Sequence, residues 1–148
     1  MTINEIQDEI IDEFSDLTDE LERYAYIMDM GNTLEPFPVK DKIPANKIEG
    51  CQSNVWITAR RDDDGNVIFA ADSDALITKG LIALLLRVLS GHKPQEILNA
   101  DLYFIDKLGL HTHLSSNRSN GLLAMLKQMR LYAQAYALMD KEKAQENS

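Results

Sequence analysis

The sequence holds one cysteine, Cys51. A single thiol cannot close an internal disulfide and is too few for a thiolate metal cage. Without a disulfide framework, a reducing compartment, the cytoplasm, is the expected location. Long apolar runs are also missing. The longest, residues 80–86, falls far short of the roughly 20 residues needed to span a bilayer, so no membrane association is expected. The opening Met1-Thr2-Ile3-Asn4-Glu5 has neither a basic n-region nor an apolar h-region, so no secretory leader is expected. Residues 1–22 carry nine acids and no lysine or arginine, and the other fifteen acids match all fifteen bases. The net charge of -9 therefore belongs to the N-terminal segment. Nucleic acid binding needs a basic footprint and is excluded as an expectation. An acidic helical face can steer a basic partner or simply be a solvated surface. A glycine-rich phosphate loop, an internal repeat and an interdomain linker are all absent.

What is present suits one domain over residues 1–148, with a polar tail from about 141. A chain of 148 residues with 45% hydrophobic and 26% charged residues can bury a full core. Thr2 and Glu5 fit a capping box ahead of Ile3, Ile6, Ile10, Ile11 and Phe14, which predicts an amphipathic helix over 3–15. A second helix, capped by Asp16 or Thr18, carries Leu21, Tyr24, Ala25 and Met28 on one face and stops at Gly31. Residues 32–50 contain Pro36, Pro38 and Pro44 and read as an irregular connection leading to Cys51. Segments 55–61 and 67–71 are rich in strand formers around the turn Asp62-Asp63-Asp64-Gly65-Asn66, a hairpin signal. Ser73 or Asp74 is placed to cap a helix running to about Ser90, whose apolar face is wide enough for a central core element. Pro94 opens a short helix, residues 103–108 form another, and Ser115 or Ser116 caps the last. That helix carries Leu122, Met125, Leu126, Met129, Tyr132, Tyr136 and Met139, with a frayed tail after Lys141. The fold class is α+β, a small antiparallel sheet packed against several helices.

Chemistry centres on Cys51, in Ile48-Glu49-Gly50-Cys51-Gln52-Ser53-Asn54-Val55-Trp56. Buried cysteines often only pack. A thiol at a loop-to-strand edge can instead meet another protein, and a nearby cation or helix N-terminus would favour its reactive thiolate. Gly50 removes a side chain just before it. A thiolate there could attack the outer sulfur of a persulfide, by the logic of thiol–disulfide exchange. Rival readings use His92, His111 or His113 as a hydrolase base, or His111 and His113 with Cys51 as a metal site. The run Asp62-Asp63-Asp64-Gly65 lacks the alternating ligands of a calcium loop and reads as a turn. Arg118 falls in the first turn of the last helix, against the helix dipole. A residue placed against a local rule hints at function, and Arg118 is a candidate neighbour for Cys51.

The cysteine stretch resembles the Gly-Cys-Gln-Ser-x-Val-Trp signature of the SufE family of sulfur acceptors. Three further stretches are similar to that family: 72–75 with 79–81, His113-Leu114-Ser115, and Arg118-Ser119 with Gly121-Leu122 and Ala124-Met125. Tyr24, Ile27 and Gly31 in the second helix fit as well. The resemblance implies a fold like that of the IscU scaffold. It also implies that Cys51 receives sulfane sulfur as a persulfide from a pyridoxal-phosphate cysteine desulfurase of the SufS or CsdA type. The protein would then stimulate that enzyme and pass sulfur to an iron–sulfur scaffold complex downstream. It would act as a partner protein, not an enzyme in its own right, and bind no cofactor. Arg118, Asp74 and His113 carry over as motif positions that could support the thiol. Many relatives have a proline between the positions of Ser115 and Arg118, where this chain has Ser116-Asn117. A metal-binding IscU-like scaffold and a purely regulatory desulfurase-binding module are the alternatives.

Overall fold

In the computed structural model, which describes residues 1–110 and 116–147, Thr2 opens the first helix as its sequence predicts. The Glu5 amide donates to Thr2 Oγ1 at 3.1 Å and the Thr2 amide donates to Glu5 Oε1 at 2.9 Å. Helix α1, Ile3–Ser15, buries Ile3, Gln7, Ile10 and Phe14. Its acids are largely absorbed by the fold. Glu9 and Glu13 both pair with Arg87, at 2.8 and 2.7 Å, and Tyr26 donates to Glu13 at 2.7 Å. Tyr103 donates to Asp8 at 2.7 Å, and that carboxylate pushes the phenol up to about 12.

Helix α2, Glu20–Gly31, begins after Asp19, not Asp16 or Thr18. Its buried face also differs from expectation. Leu21 is 75% exposed, whereas Ile27 and Gly31 are buried. The cause is a close approach to helix α3, Leu76–Leu89. A Cβ on Gly80 would sit 1.9 Å from the Ile27 carbonyl oxygen. Gly31 faces the same contact, where an added Cβ would stand 3.3 Å from the Gly80 nitrogen, and its φ is not positive. It is therefore a packing glycine and not a left-handed terminator. The contact is set by the smallest residues, which periodicity of large apolar ones cannot reveal.

The proline-containing connection holds two short 3₁₀ turns, Val39–Asp41 and Pro44–Asn46. It then runs beside strand β1, Val55–Arg61, where the Ile48 amide donates to the Val55 carbonyl at 2.8 Å. β1 pairs antiparallel with β2, Val67–Ser73, in a register from Val55↔Ser73 to Arg61↔Val67. In the turn, Asp62 Oδ1 accepts from the amides of Asp64 and Asn66 at 3.0 and 2.8 Å, and Gly65 takes φ +83°. The run of aspartates is thus a turn, as its sequence suggests. One sheet face buries Val55, Ile57, Val67, Phe69 and Ala71 against the helices.

Helix α3 is the central element, with Leu81, Ile82, Leu84, Leu85, Val88 and Leu89 all buried. Its N-cap is Ala75, without a side-chain bond, so neither Ser73 nor Asp74 caps it. Ser73 belongs to β2, and Asp74 is engaged elsewhere, as described below. Two short helices follow, α4 (Pro94–Asn99) and α5 (Tyr103–Lys107). Gln7, fully buried, ties α1 to them by accepting from the Phe104 amide at 3.1 Å and donating to the Asp101 carbonyl at 3.0 Å.

Helix α6, Ser116–Glu146, is 31 residues long. It buries Leu122, Met125, Leu126, Met129 and Ala133, but Met139 is 57% exposed, so the core stripe stops earlier than its spacing suggests. The helix continues through the polar segment where fraying was expected. Arg61 helps hold that end, donating to both Asp140 carboxylate oxygens at 3.1 and 3.0 Å and lying 5.1 Å over the Tyr136 ring. Tyr132 and Tyr136 donate their hydroxyls to the Ile57 and Ala59 carbonyls at 3.3 and 3.2 Å. The expected capping by Ser115 or Ser116 lies outside the described residues and side chains. Among the described residues, no helix is long and apolar enough to cross a membrane. The architecture is α+β, with a two-stranded antiparallel sheet and flanking helices.

Candidate functional site

Gly50 takes φ +91°, a conformation that L side chains rarely adopt. It turns the chain so that Cys51 faces α6. The thiol is half-buried, and its S–H donates to the Gly121 carbonyl with sulfur and oxygen 3.7 Å apart. Gly121 keeps the opposing wall bare, since a Cβ there would stand 3.5 Å from Cys51 Sγ.

The loop carrying the thiol is anchored on its C-terminal side. Asp74 Oδ1 accepts from the Asn54 amide at 3.1 Å and Oδ2 from the Asn54 side chain at 2.8 Å. Ser73 Oγ donates to the Asn54 carbonyl at 2.8 Å. Ser53 Oγ bonds Thr78 Oγ1 at 3.2 Å, tying the loop to the first turn of α3. Bonds to a charged acceptor contribute roughly 1.5–3 kcal/mol each when sheltered, and the exposure of Asp74 reduces that. We expect amide hydrogen exchange at Asn54 to quicken about tenfold in Asp74→Ala, equivalent to about 1.4 kcal/mol. Unchanged exchange would mean that the loop is held by its other bonds.

A cavity of about 300 Å³ opens beside the thiol. Its wall combines Cys51, the hydroxyl residues Ser53 and Thr78, and Arg118, over a floor of Leu81 and Met125. Arg118, expected near the thiol, is thus brought to the same cavity. Asp74 is not among its lining residues and acts on the loop through Asn54. His113 and His111 lie outside the described residues. His92 is buried elsewhere, its Nε2 3.1 Å from the Met1 carbonyl, so it offers Cys51 no base. Among the described residues, no group of three His, Cys, Asp or Glu side chains could hold a metal ion. Sequence reasoning missed Thr78 and the Gly121 carbonyl. A hydroxyl breaking the apolar run of α3 was a weak signal for the first. A backbone acceptor leaves no signal at all.

Burial pushes the Cys51 thiol above its ordinary pKa, opposite to the lowering that a nearby cation was expected to give. Desolvation disfavours the charged thiolate, and the carbonyl of Gly121 accepts from the protonated form. Alkylation of Cys51 in the isolated protein is therefore expected to keep accelerating with pH beyond about 8.5, where the rate for a free thiol bends over. A rate already level below that pH would show that Arg118 outweighs burial.

Residues 8–133, which contain all of this constellation, match the SufE family, described as an Fe-S metabolism associated domain. The chain belongs to the SufE family. It is 44% identical over 121 residues to the chloroplastic/mitochondrial SufE-like protein 1 of Arabidopsis thaliana, a match covering 82% of the chain. The matched region is 33% of that relative, so the chain spans about a third of its length. The fold is similar to the solution structure of a hypothetical protein from Thermus thermophilus. That likeness has a TM-score of 0.73 at 21% identity and covers 90% of this chain and 96% of the other. SufE membership places the chain in iron–sulfur metabolism, and the SufE match takes in α6 only as far as residue 133.

Proposed function

We propose that the protein is a sulfur acceptor and carrier. Cys51 takes sulfane sulfur as a persulfide from a pyridoxal-phosphate cysteine desulfurase of the SufS or CsdA kind. Clearing the donor's active-site thiol stimulates that enzyme, and the sulfur passes on to an iron–sulfur scaffold complex. The protein acts here as a partner, and residues 1–148 work as one SufE-like domain in the reducing cytoplasm, where a lone thiol stays unpaired.

The observation carrying this reading is the placement of the chain's only cysteine. It stands on an anchored loop within the family-matched region, in the wall of a cavity that also contains Arg118. The chemistry follows from that placement. A thiolate attacks the outer sulfur of the donor persulfide, and the donor thiolate leaves. Because the thiol rests protonated, the docked donor must favour its ionisation or draw it from beside Gly121. Arg118 contributes positive charge at the cavity where the thiolate forms, and Asp74 positions the loop. His113, a motif position, is assigned a supporting role.

The test is intact mass spectrometry after mixing the protein with an active cysteine desulfurase and free cysteine, without reductant. The expected result is a gain of one or more sulfur atoms on Cys51, reversed by a thiol. No gain with a cognate, active desulfurase would overturn the acceptor role.

A further inference from the structure

We propose that the cavity beside Cys51 also admits a small persulfide bearing a carboxylate, which loads the cysteine without a protein donor. This rests on Cys51 being a persulfide acceptor and names a second class of substrate for it. The volume of about 300 Å³ is at the lower end of the range for small-ligand pockets, and is too small for a folded partner to enter. Its lining is that of a site for a short amphipathic anion. Arg118 lines the cavity, and a guanidinium's planar donor fork suits a carboxylate. Ser53 and Thr78 present hydroxyl groups. Leu81 and Met125 present an apolar floor, and the thioether of Met125 is a polarizable neighbour for methylene and sulfur atoms. The reacting sulfur stands in the same wall.

The reaction balances without an outside redox partner. The Cys51 thiolate attacks the outer sulfur of the donor, forming a new S–S bond. The donor's own S–S bond breaks, and its electron pair leaves on the inner sulfur as a thiolate. The persulfide proton stays with the transferred sulfur, whose oxidation state is unchanged. The protein as a whole is strongly acidic, with net charge -9. A preference for an anionic donor therefore cannot come from long-range attraction and must arise in the cavity.

The experiment loads the full chain with the persulfide of 3-mercaptopropionate or with 2-hydroxyethyl persulfide, which lacks the carboxylate, and follows sulfur on Cys51 by intact mass. The expected result is a rate that saturates with the carboxylate-bearing donor and stays linear with the hydroxyethyl donor. At low concentration the carboxylate-bearing donor should lead by about tenfold, corresponding to about 1.4 kcal/mol. Arg118→Ala should remove the saturation and the preference, and Arg118→Lys should restore part of both. Linear and equal rates for the two probes, or a preference that survives Arg118→Ala, would overturn the proposal. Loading by a desulfurase is measured in parallel. If the desulfurase loads Cys51 while the small donors show no preference, this inference alone falls. If neither loads it, the acceptor reading falls too.

Discussion

The Cys51→Ser protein is expected to fold as the parent does and to gain no sulfur from a desulfurase. Both halves follow from the geometry. The side chain is half-buried and, among the described residues, makes a single weak bond, 3.7 Å to the Gly121 carbonyl. A serine hydroxyl can donate in the same direction, so the cost to stability should stay below about 1 kcal/mol. Function should respond without gradation, because an alcohol oxygen neither attacks sulfane sulfur at neutral pH nor stores it as a persulfide. The chain has no second cysteine to substitute. Thermal unfolding and intact mass on the same preparation check the two halves separately. A variant that binds and stimulates the desulfurase as well as the parent would replace the carrier mechanism with a regulatory one. A variant that fails to fold would mean that the thiol is chiefly a packing element.

Gly80→Ala is expected to be the most disruptive of the small substitutions. In a helix interior, glycine to alanine ordinarily stabilises by up to about 1 kcal/mol. Here the added carbon would lie 1.9 Å from the Ile27 carbonyl oxygen and 2.6 Å from its carbon. Those are backbone atoms, so no rotamer change relieves the clash, and α2 must move away from α3. Overpacking typically costs 1–3 kcal/mol, and a backbone clash belongs at the top of that range. About 3 kcal/mol lowers Tm by roughly 6–12 °C at this chain length. Gly31→Ala is the control across the same contact. Its nearest new neighbour is Lys79 Cγ at 3.1 Å, on a flexible side chain, so its loss should be clearly smaller. Equal Tm values for the parent and Gly80→Ala would show that the helices separate freely. The consequence reaches the thiol, because Thr78 and Leu81, on either side of Gly80, line its cavity.

Local signals proved legible where they act locally. The Thr2–Glu5 capping box, the aspartate turn and the apolar breadth of α3 each appear where sequence places them. They depend on residues within a few positions of one another. The errors came from contacts between distant segments. Asp74 looked like a helix cap because it precedes an apolar run, but its carboxylate is taken by Asn54, twenty residues away. Leu21 and Ala25 looked like the inner face of α2, but a glycine contact with α3 decided the orientation. At the site, the motif around Cys51 and the position of Arg118 were readable, and their sharing of one cavity was a matter of topology. The thiol's ionisation was not readable for the same reason. Burial is a property of the packed fold, and it is burial that raises the thiol's pKa.

The tyrosines of α6 have a consequence beyond packing. A two-stranded ribbon has two open sides, each a template for pairing with another chain. On the β1 side, the outward carbonyls of Ile57 and Ala59 already hold the Tyr132 and Tyr136 hydroxyls. The long helix thereby acts as a guard against strand-to-strand self-association. The same 31 residues that face Cys51 through Gly121 at one end keep the sheet from seeding aggregates farther along. Any disturbance that lifts α6 from the sheet would leave those β1 carbonyls open to another strand.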